Sequence, residues 1–204
     1  MTLFSATDRD RIASAIAEAE RDTAGEIVCV VARSASDYRY VPLIWAALVA
    51  LALPWPLLRF TVLSAERVHL IQLAAFLGLG LVLWLLPWRL ALVPGFVKRE
   101  RARRAAEQQF NAQRVYHTTG RTGCLIYVAE AERFAIVLPD AGIAGRVAPD
   151  VWKLTIELLT DALKEDRAAD GFIRAIEICG AVLKEHAPAG DLNRNELPNR
   201  IILL

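Results

Sequence analysis

The sequence predicts an α/β domain interrupted by a two-helix transmembrane hairpin, and three observations carry that prediction. Two long apolar runs, VPLIWAALVALALPWPLLRF (41–60) and LIQLAAFLGLGLVLWLLPWRLALV (70–93), lie close together. Each approaches the roughly 20 residues that cross about 30 Å of hydrocarbon at about 1.5 Å per residue. Outside them, short β-branched runs alternate with stretches of helical periodicity. The composition agrees, since 55% hydrophobic residues and a mean hydropathy of +0.33 are high for a soluble chain of 204 residues. Residues 1–40 and 94–190 therefore read as one discontinuous α/β domain, 41–93 as a hairpin inserted after its first strand, and 191–204 as a C-terminal tail.

Each element has its own signal. Thr7 and Asp10 read as a capping box with Asp in the place of Glu, and Ile12, Ile16 and Ala19 recur at helical spacing, predicting a first helix over 7–21. The start MTLFSATDRDRIASAIAEAE has no basic segment leading into an apolar run, so it reads as part of the folded protein rather than a cleaved signal. EIVCVVA (26–32) is a continuous β-branched run, as expected for a strand buried on both faces. A basic helix follows over 95–113, with Ala102, Ala105, Ala106 and Phe110 on one stripe. GCLIYV (123–128) and RFAIVL (133–138), joined by a short polar link, predict an antiparallel pair. Pro149 and Asp150 open a helix with the stripe Trp152, Ile156, Leu159 and Leu163. Asp170 caps the last helix, which turns Phe172, Ile173, Ile176, Cys179 and Leu183 inward, and Pro188 and Gly190 end regular structure.

In the hairpin, Pro54 and Pro56 remove backbone donors, so the first span either crosses with a kink or is re-entrant. Trp45, Trp55, Trp84, Trp88, Tyr38 and Tyr40 suit interfacial positions. The outer flanks carry Arg33, Arg39, Arg89, Lys98, Arg99, Arg101, Arg103 and Arg104, whereas the loop between the spans has Arg59 and Arg67. That bias places the bulk of the domain in the cytoplasm, and a reporter fused after Leu204 that signalled an extracytoplasmic position would overturn it. The basic helix reads as an anchor on anionic headgroups. Nucleic acid is excluded as a partner, because no aromatic interleaving or binding motif accompanies the charge.

The order helix, strand, helix, strand, strand, helix, helix, with ERDTAGEIVCVV (20–31) and RTGCLIYVAEAERFAIVLPDAGI (121–143), resembles the TPM domain family, a small three-layer α/β domain. The closing NELP (195–198) is similar to the tail of bacterial members that carry an inserted membrane hairpin. The resemblance covers nearly all of the chain outside 41–93 and implies a multi-pass protein of the bacterial inner (cytoplasmic) membrane. The family's name mentions phosphatase activity and some members bind calcium. Many relatives are exported, whereas the charge count here points to the cytoplasm.

The chemistry is less legible. Cys29, Cys124 and Cys179 sit in apolar runs and read as core thiols, and neither they nor His69, His117 and His186 have metal-ligand spacing. If the first two strands are parallel, as a right-handed crossover requires, one end of the sheet carries Ser34, Asp37, Glu130 and Glu132. The far end then gathers Asp22, Glu26, Thr118, Thr119, Arg121 and Asp140, with Asp150 at a nearby helix start. Hard oxygen ligands of this kind suit calcium or magnesium, with Glu26, Asp140 and Asp150 as the candidate metal ligands and Asp37 as the alternative. Each has a competing structural role as strand flank, turn residue or helix cap. His117 beside Thr118 and Thr119 lacks a paired nucleophile, and GIAGRV (142–147) is not a phosphate loop. Whether the protein is an enzyme stays open. Two readings survive: a membrane-tethered binding or assembly module for other membrane proteins, and a divalent-metal-dependent phosphatase-like hydrolase.

Overall fold

A computed structural model describes residues 4–85, 89–189 and 195–204. The elements in chain order are α1 (Ala6–Glu20), β1 (Glu26–Ala32), α2 (Val41–Ala52), α3 (Pro54–Phe60), α4 (Ala65–Leu85), α5 (Gly95–Ala112), β2 (Gly123–Ala129), β3 (Phe134–Pro139), α6 (Ala141–Ala144), α7 (Pro149–Lys164), α8 (Ala168–His186) and β4 (Ile201–Leu203). They divide into two compact units, one of Met1–Ala35 with Glu100–Leu204 and the other Ser36–Arg99.

The first unit is a mixed four-stranded sheet in the order β3-β2-β1-β4. β1 runs parallel to β2, with Glu26 opposite Gly123 and Ala32 opposite Ala129, and parallel to β4; β2 and β3 are antiparallel. Side chains alternate between two cores, as a pleated strand requires. Ile27, Cys29 and Val31 join Ile12, Ile16, Leu159 and Phe172 on the face covered by α1, α7 and α8. Val28, Val30 and Ala32 join Ala102 and Ala106 of α5 on the other. With both faces covered, β1 and β2 are buried at every position, which is why they read as unbroken apolar runs. The small residues of α5 allow its backbone close to the sheet. All three cysteines are buried on the first face, with the sulfurs of Cys124 and Cys179 4.0 Å apart. Burial pushes the Cys29 thiol well above its ordinary range, which leaves it inert.

Several boundaries differ from the sequence expectation. The cap of α1 is Ser5, whose hydroxyl accepts from the Asp8 amide while the Asp8 carboxylate accepts from the Ser5 amide, so Thr7 lies inside the helix. Asp170 does not cap α8; the helix starts earlier, at Ala168, and Asp170 sits in its first turn, paired with Arg11 at 2.7 Å. The buried stripe of α7 is Trp152, Thr155, Leu159 and Ala162, with Ile156 and Leu163 at its margin. The tail is more than a polar extension, because Ile201–Leu203 forms β4 beside Cys29–Val31. Gly190 and Trp88 lie outside the described residues.

In the second unit, two helices are long and apolar enough to cross a membrane, Val41–Phe60 and Ala65–Leu85. Only 22% and 11% of their apolar windows are buried within the chain, so most of that surface needs an apolar environment from outside it. The first is α2 and α3 in sequence. Leu53 between them keeps right-handed helical angles, φ −61° and ψ −39°, and its amide still donates to Val49. Pro54 and Pro56 therefore leave a continuous helical path lacking two donors, rather than a re-entrant turn. Ala46 packs against Gly80, where an added Cβ would lie 3.7 Å from the Ala46 Cβ. The Trp45 indole donates to the Leu92 carbonyl at 3.0 Å, and Trp55 and Trp84 are exposed. Tyr38, expected at an interface, is instead buried with Val41 and Val93.

Candidate functional site

The feature with the most unusual electrostatics lies at the end of the sheet where β1 begins. α1 delivers Glu20 as its last residue, the turn 21–25 reverses the chain, and β1 opens with Glu26. Both carboxylates are buried, at 8% and 4% exposure. The Glu20 carboxylate accepts from the Ile27 amide at 2.7 Å and is hydrogen-bonded by Asn199. The Glu26 carboxylate accepts from the Glu196 and Leu197 amides at 3.0 and 3.2 Å. The NELP segment is thus held by its main chain on a buried carboxylate. The Glu196 side chain in turn accepts from the Thr119 amide at 3.1 Å and from the Thr119 hydroxyl. Glu20, Glu26, Asn195, Asn199, Ala17 and Arg21 surround a cavity of about 240 Å³.

Burial pushes the Glu20 carboxyl up to about 8; the Ile27 amide pulls it down and the neighbouring Glu26 charge pushes it further up. Burial also raises Glu26, against the lowering by the two tail amides, and the Glu196 charge adds to the rise. Arg21 lines the cavity but is exposed and pairs with Glu18. Two acids facing one small space with raised affinity for protons is the kind of perturbation that marks functional sites, although a structural network produces it as well.

The predicted site residues fall in several places. Asp140 is buried and accepts from Arg121 Nε and Nη2 at 2.8 and 3.1 Å and from the Ala141 amide at 2.7 Å. That salt bridge raises the Arg121 guanidinium's affinity for its proton, and Arg121 is held at φ 54°. Asp140 therefore ties the entry of β2 to the start of α6. Asp150 is exposed in the first turn of α7. Asp22 pairs with Lys184 at 2.7 Å, which lowers its carboxyl. The Thr118 hydroxyl accepts from the Thr122 amide. Among the described residues no group of three or more His, Cys, Asp and Glu is arranged to hold a metal ion. Glu26, Asp140 and Asp150 are thus not gathered into one donor set; the first two already accept two and three hydrogen bonds.

At the other end of the sheet, Glu132 accepts from the Ser34 hydroxyl and the Ala35 amide, each at 3.0 Å. Asp37, in the second unit, is exposed and pairs with Arg39 at 3.0 Å. Glu20, Glu196, Asn195 and Asn199 were not among the expected site residues. The signal available for Glu20 was the spacing of two acids across a reversal, ERDTAGE; that for the tail was its NELP segment.

No family model matches the chain, and no curated protein matches it. Among solved structures, the chain is similar to the NMR structure of BA42 protein from the psychrophilic bacterium Bizionia argentinensis. The TM-score is 0.61 and the identity 20%, covering 98% of this chain and 95% of that one. At that identity the likeness speaks to fold alone.

Proposed function

We propose that the chain is a TPM-domain protein, anchored in the bacterial inner membrane by its hairpin, that serves as a binding or assembly module for other membrane proteins. The observation that carries this reading is the pairing of two very different surfaces in one chain. The hairpin displays apolar side chains such as Leu51, Trp55, Leu77 and Leu81, while the acids of the sheet domain are engaged by the chain's own amides and by Arg121. The element order α1, β1, α5, β2, β3, α7, α8 supports the family assignment, and the excess of Lys and Arg outside the spans supports a cytoplasmic domain.

A second reading, a divalent-metal-dependent phosphatase-like hydrolase using calcium or magnesium, draws on the Glu20–Glu26 pair around its cavity. The two readings separate in one experiment. The full chain in lipid nanodiscs is assayed for phosphatase turnover with and without calcium or magnesium, alongside Glu26→Gln, and a photo-crosslinker at Leu77 is activated in native membranes. The module reading expects discrete membrane-protein adducts and no turnover. Metal-dependent turnover lost in Glu26→Gln would defeat it.

A further inference from the structure

The sheet ends in two edge strands, β3 and β4, and β3 is the longer, six residues against three. β3 pairs with β2 alone. The Asp140 amide donates to the Gly123 carbonyl at 2.8 Å, and the register runs from Cys124 opposite Pro139 to Ala129 opposite Phe134. That alternation turns the amides of Phe134, Ile136 and Leu138 toward β2 and those of Ala135 and Val137 outward. Among the described residues, no backbone bond beyond the sheet ladder reaches Ala135 or Val137.

Exposed edges are normally blunted by charge, bulges or proline. β3 reads FAIVLP, without a charge, and only Pro139 at its far end removes an outward donor. Phe134, Ile136 and Leu138 lie at the margin of the α5 core and stay half-buried. At the head of the strand, a cavity of about 540 Å³ opens between the β2–β3 turn and the end of α7. Buried Val128 and half-buried Phe134 and Leu163 form its apolar floor, lined as well by the exposed Glu130, Arg133 and Lys164. The turn holds Arg133 at φ 50°. Lys164 has an exposed partner in Asp161 at 2.8 Å, a contact that exchanges at little cost.

We propose that the β3 edge, with the cavity at its head, docks an extended segment of a partner protein. The segment adds as a strand on the Ala135 and Val137 amides, sets one aliphatic side chain on the Val128–Leu163 floor, and brings an acidic residue to Arg133. This deepens the module reading and rests on it. Strand addition draws affinity from main-chain bonds and specificity from alternate side chains, and β3 supplies both. A second copy is the poorer occupant, because β3 itself has no acid to offer Arg133.

The test uses the full chain in nanodiscs and two short synthetic peptides of alternating valine and threonine, one ending in aspartates and the other in lysines. The acidic peptide is expected to bind saturably and to slow exchange of the Ala135 and Val137 amides about tenfold or more. Arg133→Glu reverses the preference between the peptides. Val137→Pro abolishes binding of both, and should that variant not fold, the reversal decides the matter. Absence of binding, binding that leaves these two amides unprotected, an unchanged preference in Arg133→Glu, or self-pairing through β3 would overturn the site. Membrane-protein adducts obtained while β3 stays unprotected defeat this site alone, whereas metal-dependent turnover defeats the module reading whatever β3 does.

Discussion

The two edges of the sheet differ in who occupies them. On the β1 side the chain's own C-terminus supplies the edge strand: β4 pairs with Cys29–Val31, the Leu204 amide donates to Val31 at 2.9 Å, and Glu26 captures the Glu196 and Leu197 amides. Among the described residues, the outward amides of the β3 edge, Ala135 and Val137, take part in no backbone bond beyond the ladder. A three-residue strand is too short to hold by pairing alone. The tail stays because a buried carboxylate takes its main chain where the ladder stops. Closing an edge in this way places two acids, Glu20 and Glu26, under a polypeptide cover, and their proton affinity rises as a result.

The largest expected effect strikes both edges together. Gly142 approaches the loop that enters β2, and a Cβ there would lie 2.5 Å from the carbonyl oxygens of Gly120 and Arg121. Both obstacles are backbone, so neither can rotate away. Gly142→Ala should destabilise the sheet unit by about 2–4 kcal/mol, measured by thermal unfolding. At Gly145 an added Cβ meets nothing within 4 Å, and Gly145→Ala should be near neutral. Equal melting of the two variants would remove the loop as the shared anchor.

The next effect belongs to the closed edge and is read with pH. The folded-state carboxyls of Glu20 and Glu26 are raised, Glu20 to about 8. The folded protein therefore keeps protons that the unfolded chain releases at ordinary carboxylate values. The contribution of these two carboxyls to stability is fully present below about pH 4.5, is lost as pH rises through the window to about 8, and is flat above it, with a slope of at most about tenfold per pH unit for one proton. Amide protection at Ile201–Leu203, corrected for intrinsic exchange, should follow this decline and flatten in Glu20→Gln. A wild-type profile without slope between about pH 5 and 8 would show that the tail does not bury these acids.

How much of this was legible in the sequence depends on how local each cause is. β1 and β2 stood out because burial on both faces writes an unbroken apolar run, and the two spans because each is long and apolar enough to cross a membrane. The parallel pairing of β1 and β2 followed from chain connectivity. β4 did not stand out, since Ile201–Leu203 is three residues long and its partner lies some 170 residues earlier; nothing local distinguishes IIL from a tail end. Ser5 and Thr7 both precede an acid by three residues, so the true cap was a choice between equal patterns. Asp140 was legible as an important residue but not in its role, because the Arg121 that occupies it comes 19 positions earlier. Glu20 owes its environment to Glu26, Asn199 and the tail at once, a coincidence that only the folded chain creates.

A smaller effect separates the two ends of Glu26's work. Glu26→Ala removes two acceptors and strands the Glu196 and Leu197 amides, at a cost of about 1–3 kcal/mol. It should speed exchange at Ile201–Leu203 and leave Phe134–Pro139 unchanged, since among the described residues the tail makes no hydrogen bond to β3. Equal acceleration at both edges would mean that the tail supports the whole sheet rather than one side of it.

The smallest effect lies at the opposite end of the sheet, where another carboxylate holds main chain beside the exposed Ser34. Glu132 accepts from the Ser34 hydroxyl and the Ala35 amide at 3.0 Å each, in a half-buried setting. Ser34→Ala deletes one of these bonds where water can replace the lost donor, so about 0.5–1 kcal/mol is expected in a denaturant titration. The same kind of bond therefore carries different weight at the two ends of β1. At Glu26 the polypeptide excludes water and a broken bond leaves an amide unsatisfied, whereas at Glu132 the lost donor is the exposed Ser34 hydroxyl, which solvent can replace. A Ser34→Ala cost equal to that of Glu26→Ala would show that exclusion of water by the tail is not what makes the closed edge strong.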